Sequence, residues 1–576
     1  MSISANFPNV RPSLLLDFAQ SQQLDPRVTF SRSTTAPYYD GKTSVLAEQN
    51  LLLQSQTFGS WSYVVSSTVT ANSTTAPDNT STGSLLTFNT TGISGYVAQD
   101  LTLVTGNIYA YSVYAKVGNS SKFQLQSNNG AIRGTFDLVA LTYTNISGTP
   151  LSSGLISVGN GWYRCYFTFA ATLSTTVPSY IRGDTGTAIG DNIYVWGAQL
   201  EQRSSVTAYN ATTTTALTNY IPQLLTAPIN APRFDFNPTT GESLGMLIEQ
   251  SSTNLLLYSE QFDNAAWTKS NSTITANTIV APDGTLTGDK LVENTTASVA
   301  HNVGFFGSSV TLGTSYSLSI YAKAGERSRF WLRGTGTGNV ASAYFDLSAG
   351  TVLSGTGTIT PVGNGWYKCS ASGVSDVTGA TAWNSLIYLV DTGTNYVYTG
   401  NGYSGIYIWG AQLEALAFPT SYIPTTSAQV TRASDNASMT GTNFSSWYNN
   451  AQGTFYSEFA RINAGTLGYP ALFTTDSILV FADTVNENMK NIYANNQLSI
   501  VSSGTGQKKV SFVYSQAVGY GFIINGTGFI NNTSQVNSAT FINFNPAGNP
   551  TSIRIKKFAY YPQALTSAQL QALTGS

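Results

Sequence analysis

Apolar and polar side chains alternate with a period of two along much of this chain. In IYAYSVYAKV (108–117), Tyr109, Tyr111, Val113 and Ala115 share one face, which is the pattern of a β-strand. WYRCYFTF (162–169) sets Trp162, Arg164, Tyr166 and Thr168 against Tyr163, Cys165, Phe167 and Phe169. One face is apolar and the other mixed, as in a half-buried antiparallel strand. YVWGAQLE (194–201) reads as a closing strand, with Gly197 at a bulge or a close backbone approach. Gly, Asn and Asp turns separate these segments, and no helical period intervenes. The pattern predicts an all-β protein of sandwich or jelly-roll type.

The pattern also repeats. One 204-residue offset separates Asn50-Leu-Leu-Leu from Asn254-Leu-Leu-Leu, and Trp162 of GNGWYRC (159–165) from Trp366 of GNGWYKC (363–369). APDN (76–79) answers APDG (281–284), Phe136-Asp137-Leu138 answers Phe345-Asp346-Leu347, and YVWGAQLE answers YIWGAQLE (407–414). Two copies of one module follow, with insertions confined to loops. The expected organisation is a leader (1–49) docking on the first module or a larger assembly, module A (50–212), a connector with leader strands (213–253), module B (254–426) and a different C-terminal sandwich (427–576). The leaders, 13–42 and 231–254, read as strands docking onto the modules they precede. In the last unit, GTFYSEFAR (453–461), KKVSFVYS (508–515) and GYGFIINGTGFI (519–530) are strand-like, and Asn525-Gly526 is a hairpin-turn signal. The chain ends in a strand broken at Pro562 and a short helix that Thr566 can cap and Gly575 can end.

Composition narrows the partners. Of 576 residues only 9% are charged, the net charge is −2 and 12% are aromatic. No basic run tracks a phosphate backbone, which argues against nucleic acid. No apolar run is long enough to span a membrane as a helix, and the N-terminus lacks the pattern of a signal peptide. Cys165 and Cys369 occupy equivalent places in separate modules, so they are expected to be buried thiols rather than a disulfide.

The run NLLLYSEQFDNAAW (254–267), APDG, the Tyr-Ala-Lys strand, GNGWYKC, YIWGAQLE and Tyr422-Ile423-Pro424-Thr425 resemble the carbohydrate-binding-module-like β-sandwiches of tailed-bacteriophage virion proteins. VTRASDNASMTG (430–441) and RIKKFAYYPQALTSAQLQALTG (554–575) resemble concanavalin-like or laminin-G-like sandwiches. The resemblance implies two tandem jelly rolls and a concanavalin-like domain on the virion surface, made in the bacterial host cytoplasm. It implies a non-enzymatic tail fibre or receptor-binding component that attaches to host-cell surface glycans. The alternative is a capsid decoration, head fibre or cement protein acting through protein–protein contacts. Other virion proteins are expected partners, and a homo-oligomer, with a trimer favoured, is the expected assembly.

Candidate chemistry is sparse. The single histidine, His301, cannot build a triad or a metal cluster alone. The recurring acids, Asp78/Asp283, Asp137/Asp346 and Glu201/Glu414, lie in repeated structural motifs, where turn-stabilising roles outweigh a glycosidase pair. Glu201 and Glu414 are nonetheless candidates for a structural calcium, and no other cofactor is expected. Trp162, Cys165, Trp196, Trp366, Cys369 and Trp409 read as fold markers, and Arg164 and Lys368 are placed facing solvent or the partner sheet. Sugar contacts are sought on loops where the copies diverge: Trp383, Tyr396, Tyr398 and Tyr403 in module B, and Tyr180 and Arg182, beside Asp184, in module A. An aromatic face suits the C–H face of a pyranose. A tailspike depolymerase would need a carboxylate pair in a groove, and no long β-helix repeat accompanies one.

Overall fold

A computed structural model describes residues 7, 9–462, 471–474, 479–482, 488–491, 499–501, 507–515, 519–526, 539–544 and 552–575. The fold is all-β. Module A consists of two six-stranded antiparallel sheets, and module B repeats both with the same strand order. In module A the first sheet is built on Tyr96–Thr102, Lys122–Ser127, Ile132–Asp137 and Thr176–Arg182, and the second on Ile108–Val117, Trp162–Ala170 and Asn192–Glu201. Alternation decides which side chains meet: Val97, Phe123, Phe136 and Ile181 of the first sheet pack on Tyr111, Cys165, Phe167 and Val195 of the second in one buried core.

The repeated motifs explain how each module closes. Asn50 is fully buried; its Nδ2 donates to Ala198 O and Asn210 O, and its Oδ1 accepts from Leu52 N and Leu200 N. Asn254 makes the matching bonds to Ala411 O, Ile423 O, Leu256 N and Leu413 N. One amide thus ties the entering chain to the closing strand and to the segment after it. The Trp of each cassette lies on the opposite face of the second sheet from the main core. Trp162 packs with Trp196, Tyr114 and Tyr209, and Trp366 with Trp409, Tyr321 and Tyr422. Their indoles donate to Thr75 O and Val280 O. Gly197 sits at a register break in the closing strand with φ +59°, where a Cβ would stand 3.0 Å from Tyr114 and 3.3 Å from Tyr209. Its counterpart Gly410 repeats both features against Tyr321 and Tyr422. Cys165 and Cys369 are free and buried, and burial raises both thiol pKa values.

The leaders depart from expectation. Leu14–Asp17 pairs with the far end of Ser552–Tyr561, and Ser243–Glu249 pairs with the near end of the same strand edge. Thr29–Ser31 joins the other C-terminal sheet through Asn436–Thr440. Both leaders therefore complete the C-terminal sandwich instead of docking only on the modules they precede. Leu14, Leu16, Phe18, Met246 and Ile248 lie in its core beside Phe455, Phe512 and Phe558. The physical reason is an open edge: the side of Ser552–Tyr561 away from Gln452–Arg461 would otherwise expose unpaired backbone groups. The end of the first leader, Ser44–Asn50, leads into module A and pairs with Leu217–Pro222 of the connector.

Buried charge fastens this junction. Arg32 of the first leader bonds Asp435 at 2.8 Å, Arg233 of the connector bonds Asp435 and Glu249, and Arg432 lies 3.6 Å from Glu249. Burial alone would raise the Glu249 carboxyl, but Arg432 and Arg233 hold it well below the usual carboxylate range. The terminal helix, Ser567–Thr574, begins with a capping box between Thr566 and Gln569. Asn525 and Gly526 both have positive φ, 45° and 76°, but residues 527–530 of the expected hairpin lie outside the described residues.

Candidate functional site: the outer faces of the two first sheets

The two modules share their inner faces and differ on one outer face. In module A, Tyr96, Tyr180 and Arg182 alternate with the buried Val97, Ser179 and Ile181, so they point away from the core. The rings of Tyr96 and Tyr180 meet edge to face at 5.1 Å, and the Arg182 guanidinium lies 5.7 and 5.4 Å from their centroids. Arg182 Nη1 donates to Gln126 Oε1 at 2.7 Å, and its Nε donates to Ile93 O. Tyr63, 40% exposed on the edge strand, donates to Asp100 at 2.9 Å. Gln124 Nε2 donates to Thr135, while Gln124 Oε1 and Arg133 Nε are buried without a hydrogen-bond partner. A half-open face therefore combines flat rings with amide and guanidinium groups that have unused bonding capacity.

Strand register locates the same face in module B. Gln124 stands opposite Arg182 and Thr135, and Trp331 stands opposite Tyr388 and Tyr344. The polar positions of module A are thus aromatic in module B. Trp331 stacks on Tyr344 at 4.9 Å with an interplanar angle of 7° and on Tyr388 at 5.0 Å, and Tyr396 caps it at 4.9 Å. Arg333 covers the indole at 4.9 Å. Half-buried Tyr344, Tyr396 and Arg333 remain at the surface, together with Phe306, which is 48% exposed.

Of the residues singled out from the sequence, Tyr180, Arg182 and Tyr396 lie on these faces. Tyr180 and Arg182 belong to a strand, not to a loop. Trp383 is a correction: it is fully buried in the module B core against Tyr316. In its strand, Gly379–Val390, Trp383, Ile387 and Leu389 are buried on one face and Leu386, Tyr388 and Val390 on the other, so alternation there does not separate inside from outside. Tyr398 is buried, and its hydroxyl donates to Glu293, which Arg327 also holds. Tyr403 is half-buried with Lys290 Nζ 4.6 Å from its ring centre. Tyr63, Tyr96, Trp331 and Tyr344 escaped notice because strand alternation alone does not tell a ligand face from a solvated one.

The remaining candidates hold the architecture. Glu201 accepts from Thr207 N, Thr207 Oγ1 and Gln199 Nε2, and Glu414 from Thr420 N, Thr420 Oγ1 and Gln412 Nε2. Those carboxylates clamp the loop after each closing strand. Among the described residues no group of three His, Cys, Asp or Glu side chains is placed to hold a metal ion. Asp78 and Asp283 close Asx turns onto Thr80 and Thr285, Asp137 accepts from Val139 N and Ala140 N, and Asp346 accepts from Ser348 N and Ala349 N. Arg164 does not face solvent: it is 6% exposed and donates to Ser112 Oγ and Thr207 O. Lys368 donates to Thr420 O. His301 is buried with its ring nitrogens 2.7 Å from Asn271 O and 3.2 Å from Tyr398 O.

No family model matches the chain, and no curated protein does. Among solved structures, the receptor-binding domain of botulinum neurotoxin mosaic serotype C/D is 12% identical over 24% of this chain, with a TM-score of 0.19, and the match spans only 38% of that domain. The tandem CBM22 domains of Paenibacillus barcinonensis Xyn10C are 12% identical over 67% of this chain and 98% of theirs, with a TM-score of 0.19. Trypanosoma rangeli sialidase is 10% identical over 96% of this chain and 99% of its own, with a TM-score of 0.21. At scores this low the likenesses decide neither ligand nor activity, and the reading rests on the chain's own residues.

Proposed function

We propose that this protein is a non-enzymatic glycan-binding protein of a virion surface, a tail fibre or receptor-binding component that attaches to host-cell surface glycans through the outer faces of its two first sheets. One observation carries the glycan reading: on the same outer sheet face, though at different register positions, each module presents aromatic rings beside a guanidinium group. Aromatic rings offer apolar, electron-rich faces, and the interleaved donors offer directional bonds to ring hydroxyls. The recurring acids are committed to turns and loop clamps, which favours binding over hydrolysis. Placement on a virion is supported by the resemblance of the repeated motifs to phage modules.

Purified full-length protein on a glycan array tests the reading. We expect selective binding, weakened about tenfold by Tyr180→Ala and by Tyr96→Ala, since an aromatic pair contributes about 0.5–1.5 kcal/mol beyond its buried area. Both side chains are half-exposed, so the melting temperature should hardly move. A blank array would sink the glycan reading and leave attachment to other virion proteins. Immunogold labelling of particles tests the placement, and unlabelled virions would refute it.

A further inference from the structure

A cleft of about 740 Å³ opens where the connector, the second sheet of module B and the loop after its closing strand meet. Its size falls within the range of about 300–1,000 Å³ usual for small-molecule sites, which favour such junctions. Thr356, Thr358 and Thr360 recur at every second position along one wall, with Ser370 and Ser372 on the neighbouring strand. The stripe is exposed at its three threonines, and it presents a row of hydroxyls on one sheet face. Tyr38, Tyr39, Phe236 and Phe418 contribute aromatic surface on other sides.

The cleft is lined by two acids, Asp235 and Glu249, and two cations, Lys368 and Arg554, and of these Lys368 alone lacks a direct ion pair among the described residues. Asp235 is paired with Arg554 at 2.7 Å, and Glu249 with Arg233 at 2.8 Å. Lys368 also lines the cleft. Its ammonium group donates to Thr420 O at 2.6 Å and lies 5.9 Å from the Tyr321 ring centre. Among the described residues no carboxylate stands within 4.0 Å of it. Tyr39 is buried beside the cleft, and its hydroxyl makes no hydrogen bond there. The equivalent cation of module A, Arg164, has Glu201 at 4.0 Å; around Lys368 the carboxylates of Glu414, Glu249 and Asp235 act from further away.

We propose that the cleft binds a short acidic saccharide, its carboxylate pairing with Lys368 while the threonine–serine stripe and Tyr39 bond its hydroxyls. The anionic character rests on the cleft itself; the saccharide class rests on the glycan reading above. An ammonium group partly removed from water gains most from a charged, hydrogen-bonded partner.

Calorimetric titration of the full chain tests this with digalacturonic acid and 3′-sialyllactose, against neutral galactobiose and lactose. At least one acidic probe should bind about tenfold or more tightly than its neutral counterpart, and Lys368→Met should abolish that preference. Thr358→Trp, at an exposed position, should block the same binding by filling the cleft, which guards against a folding defect in the lysine variant. Tyr180→Ala should leave it unchanged. Failure of both acids to bind, equal affinity for the neutral sugars, or acid binding untouched by Lys368→Met would each overturn the proposal. Neutral-glycan binding that responds to Tyr180→Ala but not to Lys368→Met would defeat this inference alone. Acid binding through Lys368 beside a face that binds nothing would defeat the face alone.

Discussion

At the scale of single residues, the two modules show how one fold tolerates different chemistry beneath a shared surface. Asp289 of module B is 1% exposed, and its counterpart in module A is Ser84. The Asp289 carboxylate accepts from Phe262 N at 3.0 Å and Asn277 N at 2.9 Å, yet burial outweighs those bonds and pushes its pKa up to about 6. In the unfolded chain the same carboxyl titrates near the ordinary aspartate value of 3.8. The folded state therefore holds a proton that the unfolded state releases between these values, so stability is highest below about pH 4 and falls as pH rises through about 6. The loss attributable to this group is on the order of 2–3 kcal/mol. Melting curves from pH 4 to 7 should show module B weakening with rising pH, and Asp289→Asn should flatten that slope. An unchanged slope in the variant would place the pH dependence elsewhere.

At the scale of elements, strand existence was legible and strand partnership was not. Period-two alternation in 108–117 and 162–169 matches two central strands of module A, because the alternation is produced by the sheet itself. Which edge a strand joins is decided by distant sequence. Leu14–Asp17 reads as a strand from its own residues, but its partner, Lys557–Tyr560, lies at the other end of the chain. The proposed glycan-binding faces were half legible for a related reason. Tyr180 and Arg182 drew attention as aromatic and cationic residues, whereas Trp331 became meaningful only when register set it between Tyr344 and Tyr388. The leader strand carries a direct test. Leu16 is 3% exposed in the C-terminal core and stands opposite Phe558. Leu16→Ala should cost about 2–5 kcal/mol. Hydrogen exchange should accelerate along Ser552–Tyr561 and leave Trp162–Ala170 and Trp366–Val374 protected. Faster exchange in module A alone would mean that the leader stabilises the module it precedes and not the C-terminal sandwich.

At the scale of the whole molecule, the chain is held as one body by segments that return to a common junction. Arg32 arrives from the first leader, Arg233 and Glu249 from the connector, and Arg432 and Asp435 from the start of the C-terminal unit. Asp435 bonds both Arg32 and Arg233 and also accepts from the backbone of Glu249 at 2.9 Å. Three buried cations share two buried acids here, so the loss of one acid cannot be made good by the other. Arg32 would keep hydrogen bonds to uncharged acceptors, among them the carbonyls of Thr34, Pro228 and Ala231, which cannot neutralise its charge. Asp435→Asn preserves shape while removing the charge, and breaking a buried pair in this way costs about 3–5 kcal/mol. The leaders, with their edge pairing to one C-terminal strand, are the elements this loosening releases. Limited proteolysis should then cut the variant within 18–46 and 228–243, while the segments around Asn50 and Asn254 stay intact because their amide networks contain no member of the charged group. Cleavage at those leader sites at the rate of the unaltered protein would show that strand pairing alone holds the units together. If release occurs, glycan-array signal should fall further than the loss of any single face would produce, because two faces held in fixed relation gain about 10²–10⁴ in avidity from their linkage.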